Sequence, residues 1–535
     1  MTIQHDIVDV LIVGSGASGA AVAYSLAETK MRILCLEQGD WTKPTDFPAN
    51  SHEWEAGRWG DFDWFPNRRN RVTDYPVDDA DAEMKVANFN GVGGGTILFT
   101  AHWPRMHPSD FKLRTLDGVA DDWPIDYWTL EKFFEENDRM MGISGLAGDP
   151  GVPPRHPPMP PVPLGLTGQV YAKAMNKLGY HWWPSDVAVA TQEYEGRAKC
   201  INLNHCTPGC AQGAKGSVDI TYWPLAIRSG VELRTRARVR EITVNDEGMA
   251  SGVIYYDADG NEHNQPAEMV IVACNGVGTP RLLLNSVSER FPNGLANSSG
   301  LVGKNLMLHP WPQVSGYVDE TVDGGRGPMT NLWSKEFYET DPSRGFVRGY
   351  TMQMSRGSGP VGEAFLAATT GRLPWGKDHH RVFRTRLDHK IQIGIACEDL
   401  PEAHNRVVLD PDHRDSNGIP GARIEYKIGE NTQRMMDHGI AKATEILQAA
   451  GARDICCPRN SLNSPGHLLG TCRMGNDPAT SVVNAWGRSH DVRNLFIVDG
   501  SVWVTGGGVN PTSTIQALAL YVADQIKQRL ATLFD

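Results

Sequence analysis

Apolar residues run almost unbroken from 8 to 13, yield to Gly14-Ser15-Gly16, and resume with helical spacing over 17–27. A continuous apolar run of this length predicts a strand buried on both faces, as in a parallel sheet. A second run, 32–36, ends on Glu37. The chain therefore opens as strand, tight turn, helix and strand. Apolar and polar positions alternate at 231–245 and 252–256, which predicts half-buried strands. The turn Asp257-Ala258-Asp259-Gly260 leads to a further strand. Residues 268–274 read as another buried strand, followed by a glycine-rich turn over 275–280 and a helix from Arg281. Alternation returns between about 311 and 460, as at 390–395, with a turn at Asp410-Pro411-Asp412 and a helix over 431–449. The last 70 residues give short strands and a terminal helix, 514–530.

The intervening stretches are less regular. Residues 38–90, rich in Trp, Pro, Asp and Arg, predict a long ordered excursion rather than a second strand–helix unit. A turn and an amphipathic helix are expected over 107–140, a Pro- and Gly-rich connector over 146–166, and a helix over about 166–179.

Composition narrows the class. At 535 residues the chain needs more than one simple core. With 40% hydrophobic and 21% charged residues it is an ordinary globular chain. A net charge of -12, with no basic run interleaved with aromatics, argues against a nucleic-acid surface. No apolar run approaches the roughly 20 residues of a membrane helix. The first residues carry neither a basic nor an apolar signal region. Nine irregularly spaced cysteines fit a reducing compartment. A cytoplasmic location is expected, unless a partner subunit with its own signal exports the folded chain.

Gly14, Gly16 and Gly19 fit G-x-G-x-x-G, and each has a physical task. The first permits the turn, the second lets a pyrophosphate approach the backbone, and the third lets helix pack on strand. The helix N-terminus offers free N–H groups to the phosphates. Glu37, 18 residues after Gly19, is placed to accept from ribose hydroxyls. This predicts a dinucleotide without separating FAD from NAD. A second glycine cluster, with four glycines between 91 and 95, permits close backbone approach to a ligand. The run Cys200-x5-Cys206-x3-Cys210 matches neither zinc pairs nor ferredoxin spacing, so a structural loop or a disulfide is expected rather than a metal site.

Five segments together resemble the glucose–methanol–choline (GMC) family of flavoprotein oxidoreductases, over nearly the whole chain. They are the N-terminal fingerprint with Glu37, the loop Gly93-Gly94-Gly95-Thr96, and the segment 270–283 with its Asn275-Gly276-Val277-Gly278-Thr279-Pro280. The fourth is Gly303-Lys304-Asn305-Leu306-Met307-Leu308-His309-Pro310. The last is the C-terminal block, with His467-Leu468-Leu469-Gly470-Thr471-Cys472-Arg473-Met474-Gly475, Asp499-Gly500-Ser501 and Asn510-Pro511-Thr512. The resemblance implies α/β plus α+β architecture: a Rossmann-like FAD-binding domain with an antiparallel-sheet substrate domain. The FAD domain is expected in 1–165 and 166–310, the substrate domain in 311–460, and the completion of FAD domain and active site in 461–535.

For FAD, the resemblance places Gly14, Gly16 and Ser18 on the pyrophosphate and Glu37 on the ribose. Gly94, Gly95 and Thr96 lie near the flavin, and Val239 makes backbone contact with adenine. Asp499 and Gly500 approach the pyrophosphate and ribityl chain. Pro511 and Thr512 open a helix whose N-terminus faces the flavin C2 carbonyl and stabilises negative charge there. Pyranose oxidases of the family bond FAD covalently through a histidine of the glycine-rich loop. Counting from Gly93-Gly94, that position is Leu98, so FAD is expected to be non-covalent.

Alcohol oxidation removes a proton from oxygen and a hydride from carbon, the latter to flavin N5. His467 and Asn510 match the family's catalytic pair. An amide is no base at neutral pH, so His467 is expected as general base and Asn510 as hydrogen-bond partner of the alkoxide. His309 is expected to be structural, at the domain junction, and His102 and His490 are left outside the catalytic set. The resemblance to polar family members that carry the Gly-Gly-Val-Asn-Pro-Thr run implies a secondary hydroxyl of a sugar, glycoside or polyol as substrate. An aromatic or aliphatic primary alcohol is the next candidate. Two readings of other classes are a non-redox lyase that keeps FAD and the flavin subunit of an electron-transfer complex. The electron acceptor, whether oxygen, a quinone or a protein, is not encoded by any motif, and an oligomer is compatible with the sequence.

Overall fold

The computed structural model describes residues 2–51, 54–57, 59–69, 71–357, 359–458 and 466–533. Strand Val8–Val13 lies between Ile33–Leu36 and Glu262–Val272, parallel to both. Glu232–Arg234 adds beyond Ile33–Leu36, and Leu495–Ile497 pairs with Glu262–Val272, also parallel. Being paired on both edges and covered on both faces explains the unbroken apolar run at 8–13. Helix Ala17–Leu26 packs on the C-terminal helix Thr512–Gln528 through the small buried residues Ala20, Ala21 and Ala23.

Strand Glu262–Val272 begins earlier than the apolar run at 268–274 indicated. Its first half alternates buried and partly exposed positions and pairs antiparallel with Ala250–Tyr256, which in turn pairs with Arg238–Val244. Its second half, buried continuously from Met269 to Val272, enters the parallel sheet. One strand thus carries both periodicities, and only the second half reads as a buried strand in sequence. The following helix spans Asn275–Asn285, so the predicted turn over 275–280 forms its first turns, with Pro280 inside. Proline supplies no N–H to the carbonyl four residues back. That carbonyl, of Gly276, instead accepts from the Thr471 hydroxyl at 2.8 Å.

The second sheet is antiparallel, in the order Arg453–Cys456, Gln313–Tyr317, Lys390–Cys397, Tyr350–Ser355, Thr330–Ser334, Trp183–Pro184. Val314, Met352, Met354, Ile391, Ile393 and Ile395 face a core closed by helices Gly165–Leu178 and Glu430–Ala449. The alternate residues Gln313, Gln353 and Gln392 face the opposite way, into the main cavity. The helix at 165–178 and the strand at 183–184 therefore belong with this sheet, not with the cofactor sheet expected for 166–310. The helix turns its apolar stripe, Tyr171, Ala172 and Met175, to the antiparallel core. The Asp410-Pro411-Asp412 segment is not a turn. It lies within strand Arg406–Arg414, where the register shifts between Asp410 and Arg414. A bulge is where a strand tolerates proline. Among the described residues no helix is long and apolar enough to cross a membrane.

Candidate active site

A cavity of about 380 Å³ runs from the fingerprint turn, between the two sheets, to the C-terminal block. Every site residue named from sequence lines it: Gly14, Gly16, Ser18, Glu37, Gly94, Gly95, Thr96, Val239, His467, Asp499, Gly500, Asn510, Pro511 and Thr512. Gly14 has φ +100, and a Cβ there would stand 2.5 Å from the Ala273 carbonyl oxygen. A Cβ at Gly19 would stand 2.0 Å from the Gly14 oxygen, so this glycine is needed for packing. A Cβ at Gly16 meets nothing nearer than the Gly94 Cα, at 3.8 Å, and one at Gly95 meets nothing within 4 Å. Those two positions open on the cavity. Helices Ala17–Leu26 and Thr512–Gln528 both start there without a side-chain cap or an acid in the first turn. Their uncapped N–H groups fit a pyrophosphate and an electron-rich ring edge.

Glu37 is buried. Its Oε2 accepts from Ser15 N and Oγ, at 2.9 and 2.7 Å, and its Oε1 from Gly39 N at 2.8 Å. This holds the fingerprint turn and leaves further lone pairs for a ribose. Asp499 bridges in the same way. It accepts from Asn275 N, Thr279 Oγ1 and Ser501 N, tying the second glycine turn to the C-terminal block. Burial raises its pKa.

At the other end, Asn510 Oδ1 accepts from Gln353 Nε2 and contacts His102 Nδ1 at 2.9 Å. Its Nδ2 is then left to face His467 Nε2, at 3.4 Å. His467 Nε2 is therefore the acceptor, and its proton sits on Nδ1, which meets His309 Nδ1 at 2.9 Å. Burial first, then the neighbouring His309 and His102, hold the His467 pKa well below 6.5. Burial likewise lowers His309 to about 4 and His102 to about 3. The site is a set of neutral imidazoles with one unprotonated ring nitrogen beside an amide donor.

His309, expected to be structural, contacts His467, and His102, left outside the catalytic set, lines the cavity and contacts Asn510. The one sequence signal for either was a histidine close to a family motif. His490 lies elsewhere, bonded to Ser481 at 2.9 Å. Cys200, Cys206 and Cys210 are free thiols, so the disulfide alternative for them is not realised. These three line a second, smaller cavity. Lys215 Nζ ties their loop to the glycine-rich loop by donating to the carbonyls of Cys206, Ile97 and Phe99.

Residues 8–311 and 401–519 match the N- and C-terminal GMC oxidoreductase family models. The chain belongs to the GMC oxidoreductase family. FAD is its cofactor, and it is an oxidoreductase of alcohol groups. It is 42% identical to 2-methyl-1,2-propanediol dehydrogenase of Mycolicibacterium austroafricanum, over 100% of this chain and 98% of that one. It is 30% identical to the fructose dehydrogenase large subunit of Gluconobacter japonicus, over 97% of each. In fold, this GMC chain resembles pyridoxine 4-oxidase from Mesorbium loti, with TM-score 0.64 and 17% identity over 97% of this chain and 99% of that one.

Proposed function

We propose that this GMC oxidoreductase oxidises a secondary hydroxyl of a sugar, glycoside or polyol, with His467 as the base. The observation that carries the reading is His467 Nε2 held 3.4 Å from Asn510 Nδ2 on the cavity wall. His467 Nε2 takes the hydroxyl proton. The Asn510 amide donates to the oxygen as its negative charge develops. His309 accepts from His467 Nδ1–H and so fixes the tautomer that leaves Nε2 free. FAD, when bound, supplies the hydride acceptor. The test is anaerobic reduction of bound flavin against a panel of polyols, sugars and simple alcohols; a panel that leaves the flavin oxidised overturns the proposal. Re-admission of air then separates an oxidase from a dehydrogenase.

A second reading, oxidation of a primary hydroxyl, is favoured by the relative named for 2-methyl-1,2-propanediol. The second carbon of that diol is tertiary and has no hydrogen to lose as hydride.

The base must be unprotonated to act, and a lowered pKa moves the acid limb of kcat/KM to lower pH. The rate is therefore expected to stay flat from about pH 8 down to the ordinary histidine value of 6.5 and to fall only below it. An acid limb above pH 7 would count against His467. Stability follows the same sign. As pH falls from 6.5 towards 4, the unfolded chain binds protons that the buried His309 refuses, so stability present above 6.5 is lost across that window.

With Leu98 at the loop position used for covalent attachment elsewhere in the family, acid precipitation is expected to release yellow FAD into the supernatant. Colour kept in the pellet would instead implicate His102, which lines the cavity as His467 does and lies nearer in sequence to the glycine-rich loop.

A further inference from the structure

The antiparallel sheet presents one row of residues to the cavity beside His467. Gln313 and Gln353 both pair with Gly394, one from each side, so the three stand in a line across adjacent strands. Residues in register share a face. Gly394 leaves a gap in that row, and the Trp311 indole fills it. A Cβ at Gly394 would stand 2.4 Å from Trp311 Nε1. The indole is thus seated between two amides. The Trp311 ring lies 6.0 Å from the His467 ring, and Gln353 bonds Asn510. Among the described residues, no protein group hydrogen-bonds the Gln313 side-chain amide, and Gln313 lines the cavity.

Charge is segregated along the cavity. Its charged wall residues are Glu37, Arg240, Arg281 and Asp499. Arg240 and Arg281 lie in strand Arg238–Val244 and helix Asn275–Asn285, and Glu37 and Asp499 closely follow strands Ile33–Leu36 and Leu495–Ile497. Among the described residues, the antiparallel sheet contributes amides, hydroxyls and Trp311 but no charge to this wall.

We propose that Trp311, Gln313 and Gln353 form a subsite for an uncharged polyhydroxylated substrate, a polyol or sugar. This rests on His467 and Asn510 marking the reacting end. An indole face packs against the C–H side of such a molecule. An amide both donates and accepts, as a hydroxyl does, so each amide can satisfy a hydroxyl in either role. A simple alcohol leaves the Gln313 amide unpaired, and a carboxylate or amine finds no counter-charge on this wall.

The test uses the FAD-loaded enzyme under anaerobic conditions. Flavin reduction is measured with two matched pairs, xylitol against pentan-1-ol and propane-1,2-diol against propan-1-ol. Wild type is expected to favour the polyol of each pair. Gln313→Leu keeps the side-chain volume and removes the amide. It is expected to lower the polyol-to-alcohol ratio of kcat/KM by about tenfold or more, mainly through KM. Gly394→Ala, which displaces the indole without removing a polar group, is expected to move the ratio the same way. FAD content of each variant, read from its absorbance, guards against a folding defect. Equal losses on both members of a pair, an unchanged ratio in both variants, or a wild-type preference for the simple alcohol overturns the subsite alone. No flavin reduction by any of the four compounds would overturn both the subsite and the reading of His467 as an alcohol base.

Discussion

His467→Ala is expected to slow anaerobic flavin reduction by at least about 10²-fold while FAD stays bound. His467 stands at the far end of the cavity from the fingerprint turn, and the uncapped helix ends and open glycines that fit the cofactor lie in other segments. Losing the imidazole removes the proton acceptor and leaves Asn510 still tied to Gln353 and His102. His467→Gln is the more demanding comparison. It retains a polar side chain near Asn510 but not a basic nitrogen, so it is expected to be slow as well. A reduction rate near wild type in either variant removes His467 from the base role. His309→Leu separates base from support. It takes away the acceptor for Nδ1–H, so part of the His467 population carries its proton on Nε2, the wrong nitrogen. The loss should be smaller than for His467→Ala, and restored in part by His309→Asn, whose Oδ1 accepts from the same direction.

Much of this was legible in the chain because it is local. The fingerprint, Glu37 and the block from Asp499 to Thr512 are contiguous signals whose geometry follows from their own turns and helix starts. The unbroken apolar run at 8–13 announced the centre of the parallel sheet. What escaped was non-local. His102 reaches Asn510 across 408 residues and His309 reaches His467 across 158, so neither pairing has a spacing to read. The further strand expected after Gly260 and the buried run at 268–274 are the two halves of one strand, Glu262–Val272, and the change from alternation to full burial made them read as two. Pro280 signals a break, yet the helix continues through it because Thr471, far along the chain, supplies the missing donor. Trp183–Pro184 is too short to carry a pattern and is a strand only because Thr330–Ser334 is beside it. The free cysteines at 200, 206 and 210 lie in a loop held by Lys215, which is the structural-loop alternative of the two expected for them.

Arg348→Met is expected to destabilise the fold by about 3–5 kcal/mol, the cost of leaving buried carboxylates without their partner. Arg348 is 1% exposed and precedes the strand Tyr350–Ser355, which carries Gln353. Its guanidinium bonds the buried Asp110, from the first half of the chain, and Glu398 at 3.1 Å. Asp110 in turn accepts from the Tyr338 hydroxyl at 2.6 Å, and that hydroxyl accepts from Gly508 N at 3.2 Å. One cation thus joins the antiparallel sheet, the segment at 110 and the turn that presents Asn510. Methionine approximates the aliphatic stem but supplies no donor, so Asp110 and Glu398 face each other across a dry site. Neutralising one acid should relieve this: Arg348→Met with Asp110→Asn is expected to recover a measurable part of the loss, since the amide oxygen still accepts from Tyr338. The measurement is the urea midpoint, followed by flavin fluorescence and circular dichroism together. A shift equivalent to less than about 1 kcal/mol for the single variant would show that the ion cluster does not hold the antiparallel sheet to the segment at 110, against the cost expected for a buried pair. No recovery in the double variant would place the defect in lost packing instead. Because Gly508 hangs from the same network, flavin reduction in Arg348→Met should fall even at temperatures where the variant is fully folded.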